Sequence, residues 1–417
     1  MKASRQLIND LRASLSETAR GNLDLAIQKI VKAKRRNGSV VVVTGSGPNI
    51  HEGVTTLIAE LIRKGIVNGV IASSAVVAHE MAGTLDRVKR IHIDDGEDIG
   101  FPAAFLPRGG IFEITMLSPQ QQAEFRREFG AGWELYDRLQ ARAGDTIIKA
   151  AGNMAWPMGW RTERLAREAQ EVAKQLGTTV EHVAGLGADP MTMIGAAARR
   201  GVPMLVSTPQ LVGGGAVGLA IGDAISLSHR ARLIADVLES ADVIVESAIA
   251  LSQEIHDGPF ETYTGHGIWA AWDHLPTYSL EGKTLVRIDL DSNLEAAWNC
   301  ERQGSEVQRA VNEGLPKTKQ TGMPFRMEMS GFARLEGSIP VTADAGAAWP
   351  IIAYALEEQL NMKLDFIPAP QETADGKRIR EWIVENVNVV DRGQMHKAAK
   401  SLLLQTGTAG LRQVSHG

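Results

Sequence analysis

The chain contains one cysteine, Cys300, in 417 residues. A single thiol excludes an intramolecular disulfide and a cysteine-only metal site, and it fits a reducing compartment, with the cytoplasm as the default. The ten histidines include no H-x-x-x-H or H-E-x-x-H pair, so no metal ion is expected. No apolar run approaches the roughly 18 residues of a membrane span, and the opening Met1-Lys2-Ala3-Ser4-Arg5 leads into an amphipathic helix. Basic excess is also missing. With 44 Lys and Arg against 49 Asp and Glu, interspersed to a net charge of -5, there is no face for phosphate backbones or anionic membranes. A G-x-S-x-G elbow, a P-loop and the kinase signatures are absent, which removes acyl-transfer hydrolases and ordinary nucleoside triphosphatases from consideration.

What is present is an ordinary soluble composition, 44% hydrophobic and 22% charged, able to bury a large core as one large or two smaller domains. The most informative stretch is Val40-Val41-Val42-Val43-Thr44-Gly45-Ser46-Gly47-Pro48-Asn49-Ile50-His51-Glu52-Gly53. Four β-branched apolar residues predict a strand buried on both faces, and the glycines that follow predict a turn opening the helix 54–64. Such a turn reads either as a phosphate cradle or as a plain tight turn, since its G-x-G-x5-G spacing departs from the dinucleotide fingerprint. Further strand-like runs fall at 67–74, 203–207, 242–246, 284–289 and 339–342, with helices such as 228–239 and 349–359 between or after them. The rhythm predicts an α/β fold, a doubly wound, mostly parallel Rossmann-like sheet with a helical and loop insertion. We divide the chain into an N-terminal helical segment (1–37), a Rossmann-like core (38–83 and 186–360), an insertion carrying substrate contacts (84–185) and a C-terminal helical segment (361–417).

Three histidines stand at predicted strand ends: His51, His79 beside Glu80, and His256 near Asp257. Imidazole titrates near neutrality and an adjacent carboxylate can hold its charge, so each reads as an acid/base group or as a surface or helix-capping histidine. Asp289 and Asp291 end the 284–289 strand and read as ribose-binding acids or as solvated loop carboxylates. Arg108, Lys149 and Arg161 in the insertion suit a substrate carboxylate or an exposed surface.

The segment Val341-Thr342-Ala343-Asp344-Ala345-Gly346-Ala347-Ala348-Trp349-Pro350 resembles an element near the C-terminus of deoxyhypusine synthases. Gly47-Pro48-Asn49-Ile50-His51-Glu52-Gly53 and Ala75-Val76-Val77-Ala78-His79-Glu80 resemble segments of the NAD-dependent ornithine cyclodeaminases of the same fold, a closer echo. The resemblance implies NAD as cofactor, with contacts at Gly45, Ser46, Gly47, Asn49, Ser73, Ser74, Ala75, Glu80, Thr342, Asp344 and Ala345. It implies a resident NAD that oxidises a C–N carbon transiently, in a redox-neutral lyase, cyclodeaminase or transferase reaction on a small amino or hydroxy acid. His51, His79, Glu80 and His256 are then the proton shuttles, and the assembly is a homo-oligomer, a tetramer first. A conventional dehydrogenase and a non-catalytic nucleotide-binding protein stand as alternatives. Two departures matter. The substrate-holding lysine of deoxyhypusine synthases is missing from Glu328-Met329-Ser330-Gly331-Phe332. The acids that bind a cationic amine in both families are replaced by Pro209-Gln210-Leu211-Val212-Gly213-Gly214, which argues against a polyamine or ornithine substrate.

Overall fold

The computed structural model describes residues 1–94, 97–100, 110–130, 132–248, 258–263, 265–292, 295–296, 298–299, 309–310, 312–316 and 335–413. In chain order its strands are β1 (Val40–Thr44), β2 (Gly69–Ala72), β3 (Asp86–His92), β4 (Ile111–Thr115), β5 (Asp145–Lys149), β6 (Met204–Val206), β7 (Val243–Ser247), β8 (Thr284–Asp289) and β9 (Ile339–Thr342). Six of them form one sheet in the order β6-β2-β1-β7-β8-β9, and every pairing in it is parallel. The doubly wound expectation holds. Every residue of β1 is buried, as a valine run covered on both faces requires. Val40 and Val42 point into the cluster that holds Leu57, Ile58 and Trp349. Val41 and Val43 point to the opposite face, with Ile234, Leu238 and Ile244.

The order of the strands carries functional weight. From β1 the chain steps outward to β2 and β6, then returns beside β1 with β7 and proceeds the other way to β8 and β9. The reversal leaves a crevice at the carboxyl ends of β1 and β7, where open α/β sheets receive their ligands.

The segment between β2 and β6 adds a three-stranded antiparallel sheet, β4-β3-β5, which the sequence reading did not anticipate. Charged and exposed positions interrupt its strands, with Arg87, Lys89 and Arg90 in β3 and an exposed first half of β5, so they show no clear period-2 signal. The helix Trp133–Ala141 covers it through Leu135 and Leu139, which pack with Ile91 of β3 and Ile114 of β4, while Phe125, Phe129 and Tyr136 form a separate cluster with Leu117 and Met158. The Tyr136 hydroxyl donates to the Thr115 carbonyl and accepts from the Leu117 amide, both at 3.0 Å. At the N-terminus the expected helical stretch is two helices, Arg5–Ser14 and Glu17–Arg35, capped by the Ser4 and Ser16 hydroxyls. At the other end, Ala374–Asn386 and Arg392–Gln413 are helical as expected. Among the described residues no helix is long and apolar enough to cross a membrane.

The edge strand β6 is pinned by a buried ion pair. Glu181 accepts from Arg230 Nη1 at 2.6 Å and from the Val206 amide at 2.8 Å, while Arg230 Nη2 donates to the Ile221 carbonyl at 3.0 Å. Both side chains are fully buried. Replacing Glu181 by alanine leaves a buried guanidinium without its counter-ion, so urea denaturation of Glu181→Ala should show a loss of roughly 3–5 kcal/mol.

Candidate functional site

The turn after β1 lies at the crevice. Gly47 has φ 64° and ψ -117°, a conformation that only glycine adopts readily, and a Cβ built there would meet nothing within 4 Å. The turn does not run straight into the long helix as predicted. A four-residue helix, Pro48–His51, comes first, and Gly53 (φ 72°) then starts the helix Val54–Arg63. Gly53 serves packing, because a Cβ there would sit 3.1 Å from Pro368. The short helix has a chemical consequence: it sets His51 and Glu52 at the carboxyl edge of the sheet.

Asn49 locks this turn. Its Nδ2 donates to the Ser247 carbonyl at 3.0 Å, and its Oδ1 accepts from Ser247 Oγ at 2.5 Å. Ser247 Oγ in turn accepts from Trp349 Nε1 at 2.8 Å. The end of β7, the turn after β1 and the helix Ala345–Gln359 thus meet in one buried network.

The two imidazoles are held from the end of β5. The Ala150 amide donates to His51 Nε2 at 3.4 Å, the Ala151 amide to Asp86 Oδ2 at 3.1 Å and the Gly152 amide to His79 Nδ1 at 3.0 Å. Burial lowers the proton affinity of His51, and Arg380 and Lys149 lower it further. For His79 burial acts first, then His51 and Lys149, and its pKa falls to about 4. Near neutrality both rings are therefore uncharged. A neutral ring that accepts at one nitrogen carries its proton on the other, so His79 presents Nε2–H and His51 presents Nδ1–H.

Glu52, only 6% exposed, accepts from the Gln371 amide at 2.7 Å. Burial pushes its carboxyl up to about 7, with Asp344 and Glu372 adding to the rise. Gly346 is needed beside it, because a Cβ there would lie 2.6 Å from Glu52 Oε2 and 2.9 Å from Asp344 Oδ1.

Other expected site residues are tied to the protein itself. Glu80 does not couple to His79. Its two oxygens accept from the Met193 and Ile194 amides at 2.8 and 3.0 Å, and burial raises its pKa to about 8. Ser73 caps the helix Ser74–Met81. Ser74 Oγ donates to the Gln210 carbonyl and accepts from the Gly214 amide, each at 2.8 Å, and so shapes the glycine-dense loop. Ala75 follows in the same helix, half-buried. Asp344 caps the helix that Ala345 begins, accepting from the Gly346 amide at 2.6 Å. Thr342 ends β9, and its Oγ1 is buried with no hydrogen-bond partner among the described residues. Asp289 ends β8, two strands from β1, and accepts from the Asp291 amide at 3.0 Å. His256 and Arg108 lie outside the described residues. Arg161 is fully buried against Glu124 and Glu128, away from the imidazoles.

Sequence reasoning missed the strip Ala150–Gly152, Asp86 and Arg380. Backbone amides leave no side-chain signature, and smallness was the one available signal: a Cβ on Gly152 would lie 2.7 Å from the Ala78 carbonyl oxygen and 2.8 Å from His79 Cα. A cavity of about 1400 Å³ opens elsewhere, between the helix Pro119–Glu128 and residues 384–396, and neither imidazole lines it. We place the chemistry at the imidazoles rather than in that cleft, because the two neutral histidines and the raised Glu52 carboxyl lie there, at the strand-order reversal.

No family model matches the chain, and no curated protein matches it. Among solved structures, a conserved LOR/SDH-type protein from Methanococcus maripaludis S2 shares 11% identity over 87% of this chain and 74% of its own, with a TM-score of 0.40. AgrE in a ternary complex with ornithine and NAD+ shares 13% identity over 86% of this chain and 34% of its own, with a TM-score of 0.34. ArgZ, an arginine dihydrolase from the ornithine-ammonia cycle in Cyanobacteria, shares 10% identity over 81% and 32%, with a TM-score of 0.35. The chain spans about a third of the length of AgrE and ArgZ. Likeness at this level carries no reaction across, and the fold rests on the strand order itself.

The raised and lowered groups have opposite effects on stability. Between about pH 4.5 and 7 native Glu52 keeps a proton that the unfolded chain has shed, so its contribution falls as pH rises through that window. Native His79 stays neutral between about pH 6.5 and 4 while the unfolded ring protonates, so its contribution is lost as pH falls. Glu52→Gln should accordingly be more stable than the native chain at pH 8, by roughly 2–3 kcal/mol, and little changed at pH 4.5, as read by urea denaturation. Nitrogen NMR of histidine-labelled protein at pH 6 should show His79 as the neutral Nε2–H tautomer.

Proposed function

We propose that the chain is an NAD-dependent enzyme of the deoxyhypusine synthase-like group, using resident NAD in a redox-neutral lyase, cyclodeaminase or transferase reaction on a small amino or hydroxy acid. One observation carries this reading: the strand order reverses at the Gly45–Gly47 turn, and the segment leaving that turn delivers His51 to the amide strip that also holds His79. The residues present fit a dinucleotide. Gly47 has open space where a side chain would stand, and the orphaned Thr342 Oγ1 offers a buried polar group at the carboxyl end of β9. Gly45, Ser46, Gly47 and Thr342 would hold the cofactor. Asn49, Ser73, Ser74 and Asp344 would shape its bed through the bonds described above.

When bound, NAD would take a hydride from a C–N or C–O carbon and return it later. The chain's own groups manage protons. With Nδ1 held by the Gly152 amide, His79 offers a fixed N–H donor to a developing negative charge. His51 is held more loosely, at 3.4 Å, so its ring can release the amide and take a proton at Nε2. Glu52, with a pKa of about 7, can exchange a proton at neutrality beside it. The reading includes a homo-oligomer, supported by the exposed apolar side chains of Met154, Trp160, Val212 and Leu219.

The test is the absorbance and mass of the small molecule released on denaturing the purified protein, together with titration of added NAD. A dinucleotide is expected, and no nucleotide with no NAD binding would sink the reading. Steady NADH release on turnover would favour a dehydrogenase instead. Gly47→Ala forces strain of roughly 1–3 kcal/mol into the turn and should weaken NAD binding about tenfold.

A further inference from the structure

We propose that Arg380, with Lys149 beside it, binds the carboxylate of the substrate next to His51, so that the site selects 2-amino or 2-hydroxy acids over amines lacking a carboxylate. The inference rests on the function proposed above and names the substrate feature that the site reads.

The argument starts at the end of β5, where three consecutive residues each place a group at one edge. The Ile148 carbonyl accepts from Arg380 Nη2, Lys149 contributes its ammonium, and the Ala150 amide holds His51. Arg380 comes from the helix Ala374–Asn386, and its Nη1 donates to Gln371 Oε1 at 3.1 Å. These two bonds orient the guanidinium and, among the described residues, leave one N–H on each terminal nitrogen and the buried Nε without a partner, donors of the kind that grip a carboxylate through both oxygens. Among the described residues Lys149 Nζ meets one hydrogen-bond partner, Glu113, at 3.0 and 3.1 Å, which leaves a donor over. Both cations stand near enough to His51 to depress its proton affinity.

The acids nearby show the opposite pattern. Glu52 and Glu381 are the carboxylates that act on Arg380; Glu52 accepts from the Gln371 amide and Glu381 pairs with Arg87, while Glu113 faces Lys149, Asp86 accepts from the Ala151 amide, and Glu80 from Met193 and Ile194. Each is already committed to the fold, so an amine-rich cation finds less to hold it than a carboxylate does. The competing account makes Arg380 a strap that pins its helix to β5, and the two differ in what a ligand panel reads.

Isothermal titration of the full chain saturated with NAD would compare L-2-aminopentanoate, its carboxamide and 1-aminobutane. The acid should bind about tenfold or more tightly than either of the others. Arg380→Gln should abolish that preference while leaving NAD affinity within about twofold. Should Arg380→Gln fail to fold, Arg380→Lys carries the test, because it keeps the charge without the fork and should cut the preference about threefold or more. Equal binding of acid and amide, no binding of the acid, or a preference that survives substitution would overturn the proposal. If the native chain binds no NAD, the proposed function fails separately. The same panel run without NAD then decides on Arg380, with a surviving acid preference supporting it and its absence overturning it.

Discussion

Three consecutive backbone amides, those of Ala150, Ala151 and Gly152, are the constraint on which the candidate site depends. Each donates to a side chain from a different part of the fold: His51 after β1, Asp86 at the start of β3 and His79 in the helix after β2. A buried amide must be paired, and pairing with imidazole nitrogens satisfies the backbone while deciding which ring nitrogen keeps its proton. Structure and chemistry share the same bonds there. The small residues of the strip are part of the same arrangement, because a side chain on Gly152 would displace His79.

The crevice has two ends with different physics. At the turn after β1, the Asn49–Ser247–Trp349 network makes a rigid, uncharged bed at the strand-order reversal. At the end of β5, Arg380 and Lys149 supply positive charge, while burial keeps nearby histidines neutral and Glu52 easy to protonate. A rigid bed suits a cofactor that stays, and a charged edge with titratable neighbours suits a substrate that comes and goes. Glu52 links the two, since its carboxyl lies against Gly346 in the helix after β9 and accepts from Gln371, which also orients Arg380.

Much of the core was legible in the sequence. The six parallel strands announce themselves as short β-branched or aliphatic runs, because strands covered on both faces have no polar side to interrupt them. The N-terminal helical segment was legible from its amphipathic spacing for an equally local reason, while its division into two helices at Ser16 was not. The antiparallel sheet of the insertion was not legible, since its strands gain their stability from pairing and from the cover of Leu135 and Leu139 rather than from their own composition. Within the candidate site, His51 and His79 were legible as titratable groups at strand ends, and the fold brings them to one edge. The coupling of His79 to Glu80 was a sequence-neighbour inference, but consecutive residues of a helix point about 100° apart, and Glu80 of the helix Ser74–Met81 turns toward Met193 and Ile194 instead.

The sequence alone determined the parallel α/β core, the glycine turn after β1 and the two histidines near it, because hydrophobic period and backbone freedom are properties of neighbouring residues. Only the tertiary structure decided that the strand order reverses at that turn, that residues 150–152 hold both rings and that Arg380, more than two hundred residues further on, stands beside them. Those facts depend on which segments meet in space. Backbone amides and long-range ion placement leave no pattern along a chain, so folding alone brings them into view.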